Sequence, residues 1–378
     1  MQDRQHLLKQ PRHRHGSAVG RFGLVALLAL LALPASLAPC RAHAAPGIEG
    51  TRTLGLGGGG RSSATGTQAL LSNPAGMSTT PEFIIDAMYQ YRLEDRGHGF
   101  AIAAMDSRQS PWVAIGLSYA VLSATPRLTY IGLDGLDHQL QLNHTGHEVA
   151  LGASIRVVPQ WLSLAVKPKY QFTALRFTDG NGDIQSAHTT LNAFGLDVAA
   201  QLTILSLVGV GVVAENLVGR NQPAWTDTRL PSLGLTDIEY DTVDPTGLRR
   251  LSDYPRTLHH SLSVYPTRKP TFSINFDGAY DFSSFREIDD PYTRLRYGGS
   301  GELTLGPIPL RFGGYWDGRG RGKDDDRGYI AGGIAFHRPA QIGVVGFDVG
   351  FSFQRQVTGP TPETFIGVNL AVLLNPDR

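Results

Sequence analysis

The sequence predicts an all-β protein, a transmembrane antiparallel β-barrel of about fourteen strands. Three observations carry that prediction. Apolar residues alternate with small or polar ones over stretches of about ten residues; tight and long connections take turns between the stretches; and aromatic residues gather at both ends of the stretches.

The N-terminus is set apart first. Arg4, Lys9, Arg12, Arg14 and Arg21 precede an apolar run from Phe22 to Leu33, and Ala42-His43-Ala44 supplies a small-x-small cleavage pattern. A run of about a dozen residues is too short to span a bilayer as a helix, so residues 1–44 read as a signal peptide. Leu37-Ala38-Pro39-Cys40 loosely resembles a lipoprotein box, but proline before the cysteine fits it poorly. Cleavage after Ala44 leaves a chain without cysteine, exported without disulfides. Beyond that point no stretch is long and apolar enough for a transmembrane helix. The nearest, Leu202 to Ala214, is interrupted by Gly209 and Gly211 and reads as two strands around a tight turn at Leu205-Ser206.

The alternation is clearest where Phe272, Ile274, Phe276, Tyr280 and Phe282 interleave with Ser273, Asn275, Asp277, Ala279 and Asp281. It recurs along 345–354, 162–173, 148–156 and 366–372. Strands are expected near 83–93, 99–106, 111–121, 146–157, 161–176, 190–204, 206–218, 256–266, 270–281, 295–304, 307–317, 327–337, 342–354 and 363–374. Every second connection is tight, at 107–110, 159–160, 205, 267–269, 306 and 339–340. The longest of the others are expected at 124–145 and 219–255. A soluble sandwich also alternates, but strand length and the turn–loop asymmetry suit an outer-membrane barrel better. Trp112, Trp161 and Tyr265 are expected in a turn-side girdle, and Tyr89, Tyr91, Tyr280 and Trp316 in a loop-side one. Hydrocarbon cannot satisfy backbone polar groups, so such strands must close on one another.

Between Gly47 and Met77 the chain is small, flexible and moderately polar, suited to folding inside a lumen. Gly55-x-Gly57-x-x-Gly60 fits glycine-rich phosphate patterns, but the strand and helix these require are missing around it. The near-neutral net charge of +1 gives no electrostatic reason to expect a nucleic-acid partner.

Asn73-Pro74-Ala75-Gly76-Met77, closing a Gly/Ala-rich segment just before the first strand, resembles the FadL-like family of outer-membrane hydrophobic-compound transporters and its PorV-like relatives. Gly195-Leu196-Asp197 ahead of Gly211-Val212-Val213-Ala214-Glu215-Asn216-Leu217, and Tyr254-Pro255-Arg256-Thr257-Leu258, are similar too. The resemblance implies a fourteen-stranded barrel (residues 81–378) plugged by an N-terminal hatch (residues 45–80). It implies passive uptake of hydrophobic small molecules such as long-chain fatty acids, with Asn73, Pro74, Ala75, Gly76, Gly57 and Gly60 in the hatch and its junction. The alternative is a PorV-like docking protein for secretion or surface attachment. The bilayer of a Gram-negative outer membrane and the barrel assembly machinery are the expected partners, although this chain ends in Leu374-Asn375-Pro376-Asp377-Arg378 rather than in an aromatic residue.

No residue set reads as an enzyme, metal or cofactor site. His259 and His260 are consecutive on a strand and must face opposite sides. The acids of Lys323-Asp324-Asp325-Asp326 read as a solvated loop tip among arginines. Lys167, Lys169, Arg156, Glu148, Asp197, Asn275, Asp277, Asp281, Arg311 and Asp348 are expected inward, either as ordinary lumen lining or as cross-lumen pairs holding a plug. In the longest loop Trp225, Leu230, Leu233, Leu235, Ile238 and Tyr240 form either a capture site for hydrophobic ligands or a self-packed lid.

Overall fold

A computed structural model describes residues 48–94, 96–110, 112–125, 127–131, 137–159, 161–179, 188–219, 256–286, 291–318, 326–341, 344–359 and 363–374. The expected signal peptide, the capture loop and most of the Lys323–Asp326 tip lie outside them.

Fifteen strands run in chain order: β1 (Phe83–Arg92), β2 (Gly97–Asp106), β3 (Val113–Ala124), β4 (Arg127–Ile131), β5 (Asp137–Val158), β6 (Leu162–Asp179), β7 (His188–Ile204) and β8 (Val208–Gly219), then β9 (Thr257–Val264), β10 (Phe272–Arg286), β11 (Pro291–Leu305), β12 (Ile308–Gly318), β13 (Arg327–Arg338), β14 (Gly346–Thr358) and β15 (Thr364–Leu374). All neighbouring pairs are antiparallel. β1 pairs with β15, and β3 pairs with β5, so the sheet closes into a cylinder of fourteen strands. The short β4 pairs only with the far end of β5.

β4 is the main departure from the expected boundaries. Residues 124–145, expected as a loop, are largely β3, β4 and the first part of β5, with Arg127 opposite Gln141 and Ile131 opposite Asp137. A strand of five residues has too few positions on each face for its period-two signal to stand out.

Within the wall the alternation sorts side chains as predicted. Phe276 is 54% exposed on the outside, whereas Asn275 beside it is 0% exposed on the inside. Val349, Phe351 and Phe353 likewise face out, with Ser352 and Gln354 buried between them. His259 is buried and His260 exposed, on opposite faces as the period requires. Trp112, Trp161, Tyr89 and Tyr280 stand exposed on the outer surface, and Trp316 packs on Tyr297 with ring centroids 4.9 Å apart. Tyr265 breaks this pattern. It shares parity with the inward His259, Ser261 and Ser263 and is half-buried, its ring on the lumen side beside Gly209. Parity outweighs proximity to a strand end.

Candidate functional site

The candidate site is the lumen, filled by residues 48–80. This segment carries a short helix α1 (Thr51–Gly55), a 3-10 turn (Arg61–Ser63), a second helix α2 (Gly66–Ser72) and a 3-10 turn (Pro74–Thr79). Helices of five and seven residues are too short to stand alone in water, so the wall must hold them. The segment meets strands all the way around the closed cylinder, which is possible only from inside.

The second half of the plug is seated by apolar packing. Leu70 and Met77, both 0% exposed, press into a hollow where Gly116 on β3 lies opposite Gly152 on β5. A Cβ added at Gly152 would come within 2.5 Å of Leu70 Cδ1 and 2.9 Å of Met77 Cε, so the glycines are sockets for these two side chains. Ala75 packs with Ala165, Ala199 and Val213 of the wall.

Asn73-Pro74-Ala75-Gly76 forms the turn that fixes this half. The Asn73 side chain accepts from the Ala75 N–H at 3.3 Å and donates to the Arg61 carbonyl at 3.0 Å, capping one turn and tying it to another. Pro74 begins the 3-10 turn, where its missing N–H costs nothing. Ala75 offers its carbonyl to Ser154 Oγ on β5 at 3.1 Å. At Gly76 any side chain would strike the Ala64 carbonyl oxygen at 2.1 Å. Each residue of the motif therefore has a structural task here.

The first half is held by polar contacts. Arg52 makes a two-pronged pair with Glu302 of β11, at 3.0 and 3.1 Å, and Arg311 of β12 reaches the same carboxylate at 2.7 Å. Burial pulls the Arg52 guanidinium down, but the Glu302 carboxylate outweighs it and leaves the group above its usual range. The glycine run forms a tight loop in which Gly57, Gly58 and Gly60 take left-handed φ of 63°, 75° and 79°. Consecutive amides in such a loop make a concavity for an anion. Here that anion is Asp277 of β10, which accepts from the Gly60 N–H at 2.8 Å and the Arg61 N–H at 3.3 Å. Ser62 bonds Ser263 at 2.6 Å, and Arg156 donates to the Ser78 carbonyl.

Of the charges expected inward, Arg156 and Asp277 touch the plug directly, and Arg311 braces the Glu302 carboxylate that holds Arg52. Lys167 and Lys169 do not. Both pair with Asp197 on the adjoining strand, at 3.1 and 2.9 Å, within the wall. Asp197 also accepts the Asn216 N–H at 2.9 Å where the β7–β8 register slips. The Gly-Leu-Asp and Glu-Asn-Leu pieces thus meet in one constellation, a meeting that their separation in sequence conceals. Against the glycine loop lies a recess lined among others by Arg61, His259, Asp277, Arg296 and Tyr315.

Comparison with solved structures places this architecture. The chain superposes on the CymD monoaromatic hydrocarbon channel with a TM-score of 0.57 at 10% identity, over 87% of this chain and 98% of that one. A Pseudomonas aeruginosa FadL homologue gives 0.56 at 14% identity over 88% and 99%. The Ralstonia pickettii toluene transporter TbuX gives 0.56 at 11% identity over 86% and 98%. The chain has the FadL fold. No protein-family model matches the sequence, and no curated protein matches it. At these identities the likeness is one of architecture.

Proposed function

We propose that this protein is an outer-membrane channel for passive uptake of hydrophobic small molecules such as long-chain fatty acids, gated by residues 48–80. The observation that carries this reading is the filled lumen of a FadL fold. The wall ladder is continuous among the described residues, so a solute entering from the long-loop end meets the plug before it meets the other side. Passage needs the plug to move, and the plug is held by many modest contacts rather than by covalent links. The solved structures of the same fold include a monoaromatic hydrocarbon channel and a toluene transporter, which supports a hydrophobic cargo. Export by residues 1–44 and insertion by the assembly machinery belong to the same proposal.

A docking role is the second reading, favoured by the charged lining of the recess beside the plug. Uptake of a labelled fatty acid into vesicles separates the two. Deleting Thr51–Ser72 should raise the uptake rate at least several-fold. An intact barrel whose uptake does not respond to the deletion would remove the gating proposal, and no uptake by either protein would favour docking.

A further inference from the structure

The geometry points to Asp277 as an internal stand-in for the ligand: a wall carboxylate that occupies the anion-binding glycine loop and keeps the plug shut until a carboxylate-headed ligand takes its place. The inference rests on the channel reading only for the apolar tail of that ligand.

The glycine loop is an anion site by construction. Its amides at Gly60 and Arg61 converge on one carboxylate, and Gly59 leaves no room for a side chain, since a Cβ there would lie 2.7 Å from Asp277 Oδ2. A recess opens directly onto the loop, lined by Gly57, Gly58 and Gly59 on the plug and by Arg61, Asp277 and Arg296, so an anionic head reaching it meets the loop amides. Its lining holds a donor ready for a second anion. Arg61 Nε is buried without a hydrogen-bond partner. Unpaired donors of this kind are costly in a closed site and stop being so when an anion binds them.

The exchange is balanced in charge. Arg296 lines the same recess and has no hydrogen-bond or ion-pair partner among the described residues. It stands opposite Ala279 on the paired strand, one inward position along from Asp277, within diagonal reach. A ligand carboxylate entering the loop hands Asp277 to Arg296, so no carboxylate is left unpaired. A neutral hydrocarbon cannot compete for the amides, and the contact therefore couples release of the plug's first half to an anionic head.

A single thiol reads that release. Ser62 is buried 2.6 Å from Ser263, and Ser62→Cys in a full-length Cys40→Ser background should react slowly with a maleimide. Dodecanoate should speed the labelling several-fold, and 1-dodecanol should not. Asp277→Asn should label fast without ligand and lose the dodecanoate response. Gly59→Ala, which crowds the same contact from the plug side, should do likewise and decides the matter if Asp277→Asn does not fold. Labelling that dodecanol accelerates as much as dodecanoate, or a latch variant as protected as its parent, overturns the inference. Because labelling reports the plug and not transport, a dodecanoate response without fatty-acid uptake would retain the latch and discard the channel.

Discussion

The seating of the plug on the Gly116–Gly152 hollow makes a quantitative prediction. Leu70→Ala removes a fully buried side chain whose two terminal methyl groups fill the space above two glycines. Large-to-small changes at such sites cost about 3 kcal/mol. The wall hydrogen bonds do not involve Leu70, so the loss should fall on docking of the segment and not on the barrel. The amides that report it are Asn73 N–H, bonded to the Ala69 carbonyl at 2.8 Å, and Gly76 N–H, bonded to the Asn73 carbonyl at 2.9 Å. Their hydrogen exchange should speed up about a hundredfold, since each 1.4 kcal/mol is a factor of ten. Gly152→Ala alone should also loosen the segment, by about 1–3 kcal/mol, because its new methyl meets Leu70 Cδ1 at 2.5 Å. Together the two changes should cost at least about 1 kcal/mol less than their sum, the added methyl filling part of the vacated space. Additive costs, or exchange within threefold of the parent in Leu70→Ala, would refute the socket.

Three further outcomes follow from the same geometry. Asp197→Asn strands two buried ammonium groups and should lower the stability of the folded barrel by about 3 kcal/mol, read as a lower urea midpoint; an unchanged midpoint would show that Lys167 and Lys169 find other partners. Gly76→Ala drives a methyl into the Ala64 carbonyl at 2.1 Å, and limited proteolysis should then cut residues 64–80 in a barrel that stays folded. Leu370→Arg replaces a side chain that is 56% exposed on the outer face and should cost about 2–4 kcal/mol in lipid, whereas an exposed leucine of a water-soluble protein would tolerate the change within about 0.5 kcal/mol.

By itself the sequence determined the barrel. A period of two is a local property, visible in Phe272 to Phe282 without knowledge of any partner strand, and closure then follows because hydrocarbon satisfies no backbone group. Fourteen strands fell where the alternation and the tight turns placed them, including the turn at Leu205 and Ser206, which take left-handed φ of 52° and 54°. The parity that turns Tyr265 inward was also present in the sequence, in its spacing from His259, Ser261 and Ser263, but its place at a strand end suggested lipid instead. The β4 extension left little trace, because five residues show too few alternations to stand out.

Tertiary structure alone decided what each inward residue does. In sequence Gly57 to Gly60 reads only as a flexible glycine run, and nothing local says that its amides hold Asp277, some 217 residues away. The same holds for Arg52 with Glu302, for Leu70 with its two glycines, and for Asp197 with two lysines and an asparagine. Alternation tells only which way a side chain points. Partners across a lumen are set by the register of a closed sheet and by the path of the segment threaded through it, and neither is written in any local stretch of chain.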